Sequence, residues 1–255
     1  MQIDALVIAG GSSEKLRKYN EVAKEALIPI GDKVMVEYVV EAVEHTPGIN
    51  KIAVVGPSEL QSIFAHKEKL IIAKEGESAI DSIINGMELL KPQGRLLILT
   101  ADIPLITPTA ISGFLEACQD TNVDIYYPIV PKEANEAKYP GIERTYVTIK
   151  DGTYTGGNAF LVNPNIIHER VETGKRLVKL RKSPLALSSL IGWKFILKLI
   201  TRRLTIKEAE EKFSNLLNVN GRAVVSPYPE IGIDVDKPSD LQLVSSVIEK
   251  RSIYE

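Results

Sequence analysis

Cysteine is almost missing from this chain. Cys118 stands alone in 255 residues, so no intramolecular disulfide can form, and no CxxC or Cys/His zinc spacing exists. Its place at the end of an apolar helical face predicts an inert core thiol. No apolar run is long enough to cross a bilayer. The N-terminus shows none of the basic region, long apolar core and cleavage site of a signal peptide. A reducing cytoplasm is therefore the default compartment. Charge of one sign is not in excess either, since 31 Lys and Arg stand against 33 Asp and Glu. That balance gives no global reason to bind nucleic acid, and a basic site has to come from local clustering. Internal repeats, low-complexity tails and Ser/Gly-rich linkers are absent. One domain over residues 1–255 is the expectation, with an inserted helical lobe at about 164–217.

What the chain does hold is an alternation of strands and helices. Ala5–Ala9 reads as a buried strand and Val34–His45 as a helix burying Met35, Val39, Ala42 and Val43. Strands at Lys51–Gly56 and Leu70–Lys74 follow, with a short helix at Ser58–Ala65 between them. The spacing predicts an amphipathic helix over Ser78–Leu90. Leu96–Thr100 is a nearly continuous apolar run, as a strand covered on both faces requires. Thr107-Pro108 opens the next helix, to Cys118. This order implies a three-layer α/β/α fold with a mostly parallel, Rossmann-like sheet. Beyond Asp120 the pattern predicts strands at Asp124–Val130, Tyr146–Ile149 and Ala159–Val162, with Pro131–Gly141 as a loop. A helical region from Pro164 to about Leu217 and a last helix over Pro238–Lys250 complete the reading.

Five residues in, Leu6-Val7-Ile8-Ala9 runs into Gly10-Gly11-Ser12-Ser13. Glycines there allow positive φ and close backbone approach, and successive N–H groups form an anion-binding concavity. A phosphate is the natural guest, although many tight strand-to-helix turns bind nothing. Lys15 and Lys24 follow closely, and Lys24 precedes the apolar turn Ala26-Leu27-Ile28-Pro29. Asp102 directly follows the apolar run, at the carboxyl end where open α/β sheets bind ligands. It suits Mg²⁺ or caps the turn toward Pro104. Asp234 and Asp236 lie two apart in an extended segment, so both point to one side. Asp240 falls in the first turn of the last helix, where a structural role suffices. Ser82 offers a base contact or a helix cap. Gly156-Gly157-Asn158 is a second close-approach loop for an acceptor, or a tight turn.

Taken together, Ala9-Gly10-Gly11-Ser12-Ser13, Lys24-Glu25-Ala26-Leu27, Asp102-Ile103-Pro104 and Asp234-Val235-Asp236-Lys237-Pro238-Ser239-Asp240-Leu241 carry a resemblance. In order and spacing the chain resembles the nucleotidyltransferases of the molybdenum-cofactor guanylyltransferase type (MobA-like), within the nucleotide-diphospho-sugar transferase superfamily. Asp81-Ser82-Ile83 and Asn85-Gly86 also look like the base-recognising segment of the cytidylyltransferases of isoprenoid synthesis. The resemblance implies transfer of a nucleoside monophosphate from an NTP, GTP or CTP first, to a small anionic acceptor, releasing pyrophosphate. It implies that the Gly10–Ser13 backbone holds the β- and γ-phosphates and that Lys24 stabilises the α-phosphate. Asp102, Asp234 and Asp236 would hold Mg²⁺, and no protein nucleophile is expected. The chain departs from the family pattern at Lys15, where an arginine is usual and Arg17 stands nearby, and at Asp32-Lys33-Val34 in place of Gly-Lys-Pro. A glycosyltransferase acting on a nucleotide-sugar and a non-catalytic nucleotide-binding protein are the rival readings.

One charge cluster stands apart. Between Thr173 and Lys207 the chain has Lys175, Arg176, Lys179, Arg181, Lys182, Lys194, Lys198, Arg202, Arg203 and Lys207 but no Asp or Glu. Interleaved apolar residues such as Trp193, Leu197 and Ile200 leave two readings open. One is a lobe for an anionic acceptor or a membrane surface; the other is a helical cap with solvated lysines. A homodimer is compatible with either.

Overall fold

The computed structural model describes residues 2–12, 16, 24–180 and 191–254. Ser13, Lys15 and Arg17 of the glycine-loop segment lie outside the described residues, as do 181–190 of the basic stretch. In chain order the first half holds β1 (Ile3–Ile8), the hairpin β2 (Pro29–Ile30) and β3 (Lys33–Val34), α1 (Met35–Glu44), β4 (Ile49–Gly56), α2 (Leu60–Ile63), β5 (Leu70–Lys74), α3 (Ala79–Leu90), β6 (Arg95–Thr100) and α4 (Pro108–Ala117). The second half holds β7 (Ile125–Pro131), α5 (Lys132–Lys138), β8 (Val147–Ile149), β9 (Gly152–Gly156), β10 (Ala159–Val162), α6 (Pro164–Leu180), α7 (Trp193–Ile200), α8 (Ile206–Leu217), β11 (Gly221–Val225) and α9 (Pro238–Tyr254).

Among the described residues one nine-stranded sheet runs β5-β4-β1-β6-β10-β7-β9-β8, with β11 also on β7. Only β9 and β10 run against the direction of β1. The alternation of β1 sets the layers. Ala5 and Val7 face one way, into a cluster with Val36, Val39 and Val43 of α1 and Ile111 and Phe114 of α4. Leu6 faces the other way, with Met87 and Leu90 of α3 and Val55, Leu96 and Ile98. Gly86 permits that contact, because a Cβ there would overlap the Leu6 and Val55 side chains. A third cluster joins Ile233, Val235, Leu241 and Val244 to Ile28, Met35 and Leu105, and so docks α9. This is the three-layer α/β/α arrangement expected.

Local chemistry explains the element ends. The Ser78 hydroxyl accepts from Asp81 N at 3.2 Å and caps α3, and Thr107 caps α4 ahead of Pro108. Gly31, at φ +64°, turns the β2–β3 hairpin that contains Asp32. Three sequence expectations need correction. Residues 132–138 form helix α5 rather than a loop, because Lys-Glu-Ala-Asn-Glu-Ala-Lys consists mostly of strong helix formers. β9 forms a strand where the sequence pattern predicts none, only its end at Gly156 falling in the expected close-approach loop. β11, placed in no element, pairs in parallel with β7 and returns the chain to the sheet after α6, α7 and α8. Both are short and contain glycine, so neither shows a period.

Candidate active site

The glycine segment leaves β1 where Ala9 N donates to Val55 O at 2.7 Å. Neither Gly10 nor Gly11 lies in the left-handed region, which corrects the expectation of positive φ. What glycine supplies is space. A Cβ on Gly10 would stand 2.5 Å from Glu75 Oε2, and one on Gly11 would stand 2.9 Å from Glu25 Oε2. Two carboxylates therefore press on the loop. Lys24 answers the first: its Nζ lies 2.7 and 2.8 Å from the two Glu75 oxygens and donates to Gly10 O at 3.2 Å. The lysine head is thus held on the loop beside β1, with Glu75 as its counter-ion.

Glu25 starts a single 3-10 turn, Glu25–Leu27, and its N–H reaches Gly11 O at 3.4 Å. Its carboxyl pKa is raised to about 7, first by burial and then by the negative charges of Asp102 and Asp236. That coupling ties the glycine loop to the acidic end of β6. Asp102 accepts a short hydrogen bond from the Thr100 hydroxyl. Removal from water pushes its carboxyl above the usual range, against the Thr100 bond, and Asp236 pushes in the same direction.

The second acidic segment reaches Asp102 through the backbone, with Val235 N donating to Asp102 O at 2.9 Å. Ile233 and Val235 are fully buried, so the alternating Asp234 and Asp236 share the opposite side. Asp102, Asp234 and Asp236 each offer one oxygen, and these atoms lie within 4.8 Å of one another. Asp240 is buried and its carboxylate accepts from Asp236 N and Lys237 N, both at 3.2 Å. It fixes the segment at the start of α9, the structural role expected. The oxygen-only set and the crowding of negative charge fit a hard divalent cation such as Mg²⁺. Arg144 offsets part of that charge, because its guanidinium pairs with the Asp234 carboxylate and donates to Asp234 O at 3.2 Å.

Ser82 sits one turn into α3 and is buried. Its hydroxyl accepts from Gly76 N at 2.9 Å, so the capping role falls to Ser78 instead. Gly76 has no room for a Cβ against Asp81, and Asn85 Nδ2 donates to Lys74 O at 3.0 Å. Helix α3 thereby fastens the loop that carries Glu75. Gly156, Gly157 and Asn158 form the joint between β9 and β10, which lie end to end along one edge of β7 with a register slip between them. A Cβ on Gly156 would overlap the Tyr127 hydroxyl, and one on Gly157 would stand 2.8 Å from Pro128 Cγ. Gly157 N donates to Pro128 O and Asn158 N to Ile231 O, each at 2.8 Å. Packing accounts for these two glycines.

Glu75 and Arg144 escaped the sequence reading. Glu75 carries no pattern, and Arg144 lies 90 residues from its partner. Glu25 had a signal, being the residue after Lys24 in the quoted motif. Cys118 is buried, and burial pushes its thiol up to about 12, so it stays an unreactive thiol.

A strand end lined by small residues, a lysine on it and an acidic trio at the carboxyl end of the neighbouring strand define a class: transferases with the nucleotide-diphospho-sugar transferase fold. The chain belongs to the MobA-like NTP transferase family, whose domain model matches residues 5–187. It is a nucleotidyltransferase that uses an NTP. A hypothetical transferase from Thermus thermophilus is 35% identical, with a TM-score of 0.83 over 94% of this chain and 100% of that one. CMP:2-keto-3-deoxy-manno-octonic acid synthetase complexed with CTP is 16% identical, TM-score 0.63, over 98% and 100% of the two chains. The 4-diphosphocytidyl-2C-methyl-D-erythritol synthase of Anaerococcus prevotii DSM 20548 is 11% identical, TM-score 0.58, over 97% and 96%. The last two share the fold. No curated protein matches. Among the described residues no helix is long and apolar enough to cross a membrane.

Proposed function

We propose that this enzyme transfers a nucleoside monophosphate from GTP or CTP to a small phosphorylated or otherwise anionic acceptor. An acceptor oxygen attacks the α-phosphorus, the bond to the bridging oxygen breaks, and pyrophosphate leaves. The observation that carries the reading is the union, at the carboxyl ends of β1 and β6, of a lysine-bearing amide loop with three converging carboxylates. The backbone amides of Gly10, Gly11, Ser12 and Ser13 hold the β- and γ-phosphates, and Ala9, whose own N–H bonds Val55 O, anchors that loop beneath the nucleotide. Lys24 and Lys15 neutralise charge at the α-phosphate and the bridging oxygen; for Lys24 that means exchanging Glu75 for phosphate. Ser82 shapes the base end through Gly76. Gly156 and Gly157 set the joint from which the Asn158 side chain meets the acceptor.

Asp102, Asp234 and Asp236 would hold Mg²⁺, which supplies Lewis-acid charge neutralisation on phosphate oxygens. Positioning by these side chains then provides the remaining acceleration. CTP is favoured by the fold neighbour solved with that nucleotide, and GTP by the MobA-like family itself. The reading includes a single domain over 1–255, a homodimer and a cytoplasmic setting.

The test is pyrophosphate release by the purified protein from each of the four NTPs. It is run with a panel of sugar phosphates, polyol phosphates and sugar acids, in Mg²⁺ or in EDTA. Release that needs GTP or CTP, an acceptor and the divalent cation is the expected result. Consumption of a nucleotide-sugar with no NTP turnover would overturn it. Lys24→Ala should lower kcat by more than it raises KM; a change in KM alone removes its role in the transition state.

A further inference from the structure

We propose that α7 seats the helical lobe on an anionic lipid surface. The helix reads Trp193-Lys194-Phe195-Ile196-Leu197-Lys198-Leu199-Ile200. At helical spacing Trp193, Leu197 and Ile200 share one face, and they are 70%, 52% and 73% exposed. Among the described residues, the other large apolar side chains so open to solvent are Leu89, Val147, Phe213 and Val225. Phe213 belongs to the same lobe, which thus holds four of these seven side chains among the described residues.

The open face belongs to an anchored helix. On its far side Phe195 meets Phe213 of α8 edge-on, with ring centroids 6.5 Å apart. Leu204, just beyond α7, is buried and its carbonyl accepts from Lys150 N at 2.8 Å. Ile206 N donates to Asp151 Oδ2 at 2.8 Å, which hooks the lobe to the β8–β9 turn. Folding has thus left Trp193, Leu197 and Ile200 outward while fixing the rest of the helix.

Charge selects the occupant. Lys194 borders the apolar face, Lys198 turns toward α8, and Arg202, Arg203 and Lys207 follow, all exposed. Acidic side chains begin only in α8: Glu208 pairs with Lys198 at 2.5 Å, Glu210 accepts from Ala223 N at 2.7 Å, and Glu211 follows. A second copy docked two-fold on this patch would bring two clusters of Lys194, Arg202 and Arg203 into one interface, like charge near like charge. An anionic bilayer reverses that sign. Acyl chains take the apolar face, phosphates meet the cations, and the indole sits at headgroup depth. Three apolar side chains and a few cations give reversible attachment, not insertion.

Trp193 is the only tryptophan in the chain, so its emission reports on this face directly. Full-length protein is titrated with vesicles of phosphatidylcholine containing about a third phosphatidylglycerol, where a cluster of cations gains most. The expected result is a blue shift, co-sedimentation, and reversal of both by high salt. Ile200→Asp, which keeps Trp193, should lower the partition coefficient by at least about tenfold while leaving the circular dichroism spectrum and NTP turnover in solution unchanged. Lys194→Ser combined with Arg203→Ser should weaken binding only to the anionic vesicles. Absence of any shift, equal binding to pure phosphatidylcholine, or a lipid-free, concentration-dependent shift accompanied by a doubled mass would each overturn the proposal. The last outcome would assign the face to a second copy.

Discussion

Two glycine pairs, Gly10-Gly11 and Gly156-Gly157, look alike in the sequence and differ in what surrounds them. At the first pair the missing side chains leave room beside the carboxylate ends of Glu75 and Glu25, charged groups of the site itself. At the second they leave room for Tyr127 and Pro128, part of the packed framework, and the N–H groups of Gly157 and Asn158 are bonded to Pro128 O and Ile231 O. The same residue type thus answers to chemistry in one place and to packing in the other. Glycine after a strand signals only that something comes close; the identity of the neighbour decides whether the closeness serves a ligand or the core.

The predictions sharpen this contrast, beginning with the acidic side that the first pair faces. Asp102→Asn should lower pyrophosphate release by two to three orders of magnitude, about 3–4 kcal/mol of transition-state stabilisation. Thermal unfolding should be nearly unchanged; normal turnover would remove Asp102 from the site. Gly156→Ala should destabilise the fold by about 2–3 kcal/mol in urea titrations. Tyr127 cannot swing aside cheaply, because it stacks on Phe160 at 5.2 Å between centroids. Tyr127→Phe in the same chain should recover part of that loss, and no recovery would locate the strain elsewhere.

The third prediction concerns Glu25 in the metal-free protein. Its folded pKa, about 7 against an ordinary value of 4.5, means that the folded state keeps a proton the unfolded state has already lost. Its contribution to stability therefore falls as pH rises from about 4.5 to 7. The side chain is partly open to water, so the loss is about 1–2 kcal/mol rather than the full conversion of the shift. Glu25→Gln should flatten that slope in denaturant titrations run across the interval; an unchanged slope would assign the pH dependence to other groups. The smallest effect is expected at Gly10→Ala. The flexible end of Glu75 can yield, so stability should change by less than about 0.5 kcal/mol, while NTP affinity falls about tenfold, roughly 1.4 kcal/mol. A large stability loss there would make the first pair a packing feature like the second.

The fold was legible where one period dominated. β5 and β10 fall at their expected limits, α4 begins at the Thr107 cap that the pattern indicated, and α3 begins beside the expected Ser78 start, although the cap there is Ser78 and not Ser82. It was illegible where elements were short or charged, as at β9, β11 and α5. The acidic trio could be anticipated because each carboxylate sat beside a buried strand or an alternating segment. Glu75 and Arg144 could not, because their partners come from other strands and loops, and nothing local marks them.

Alternation of apolar residues fixed the layering of this protein in advance, since a strand of period two and a helix of period 3.6 can each bury only one pattern of side chains. The spacing of Asp234 and Asp236 likewise determined that they share a side. Tertiary structure alone decided that Glu75 pairs with Lys24, that Arg144 draws off charge from Asp234, and that Trp193 faces outward. Those outcomes depend on distances between segments far apart in the chain, which no local propensity encodes.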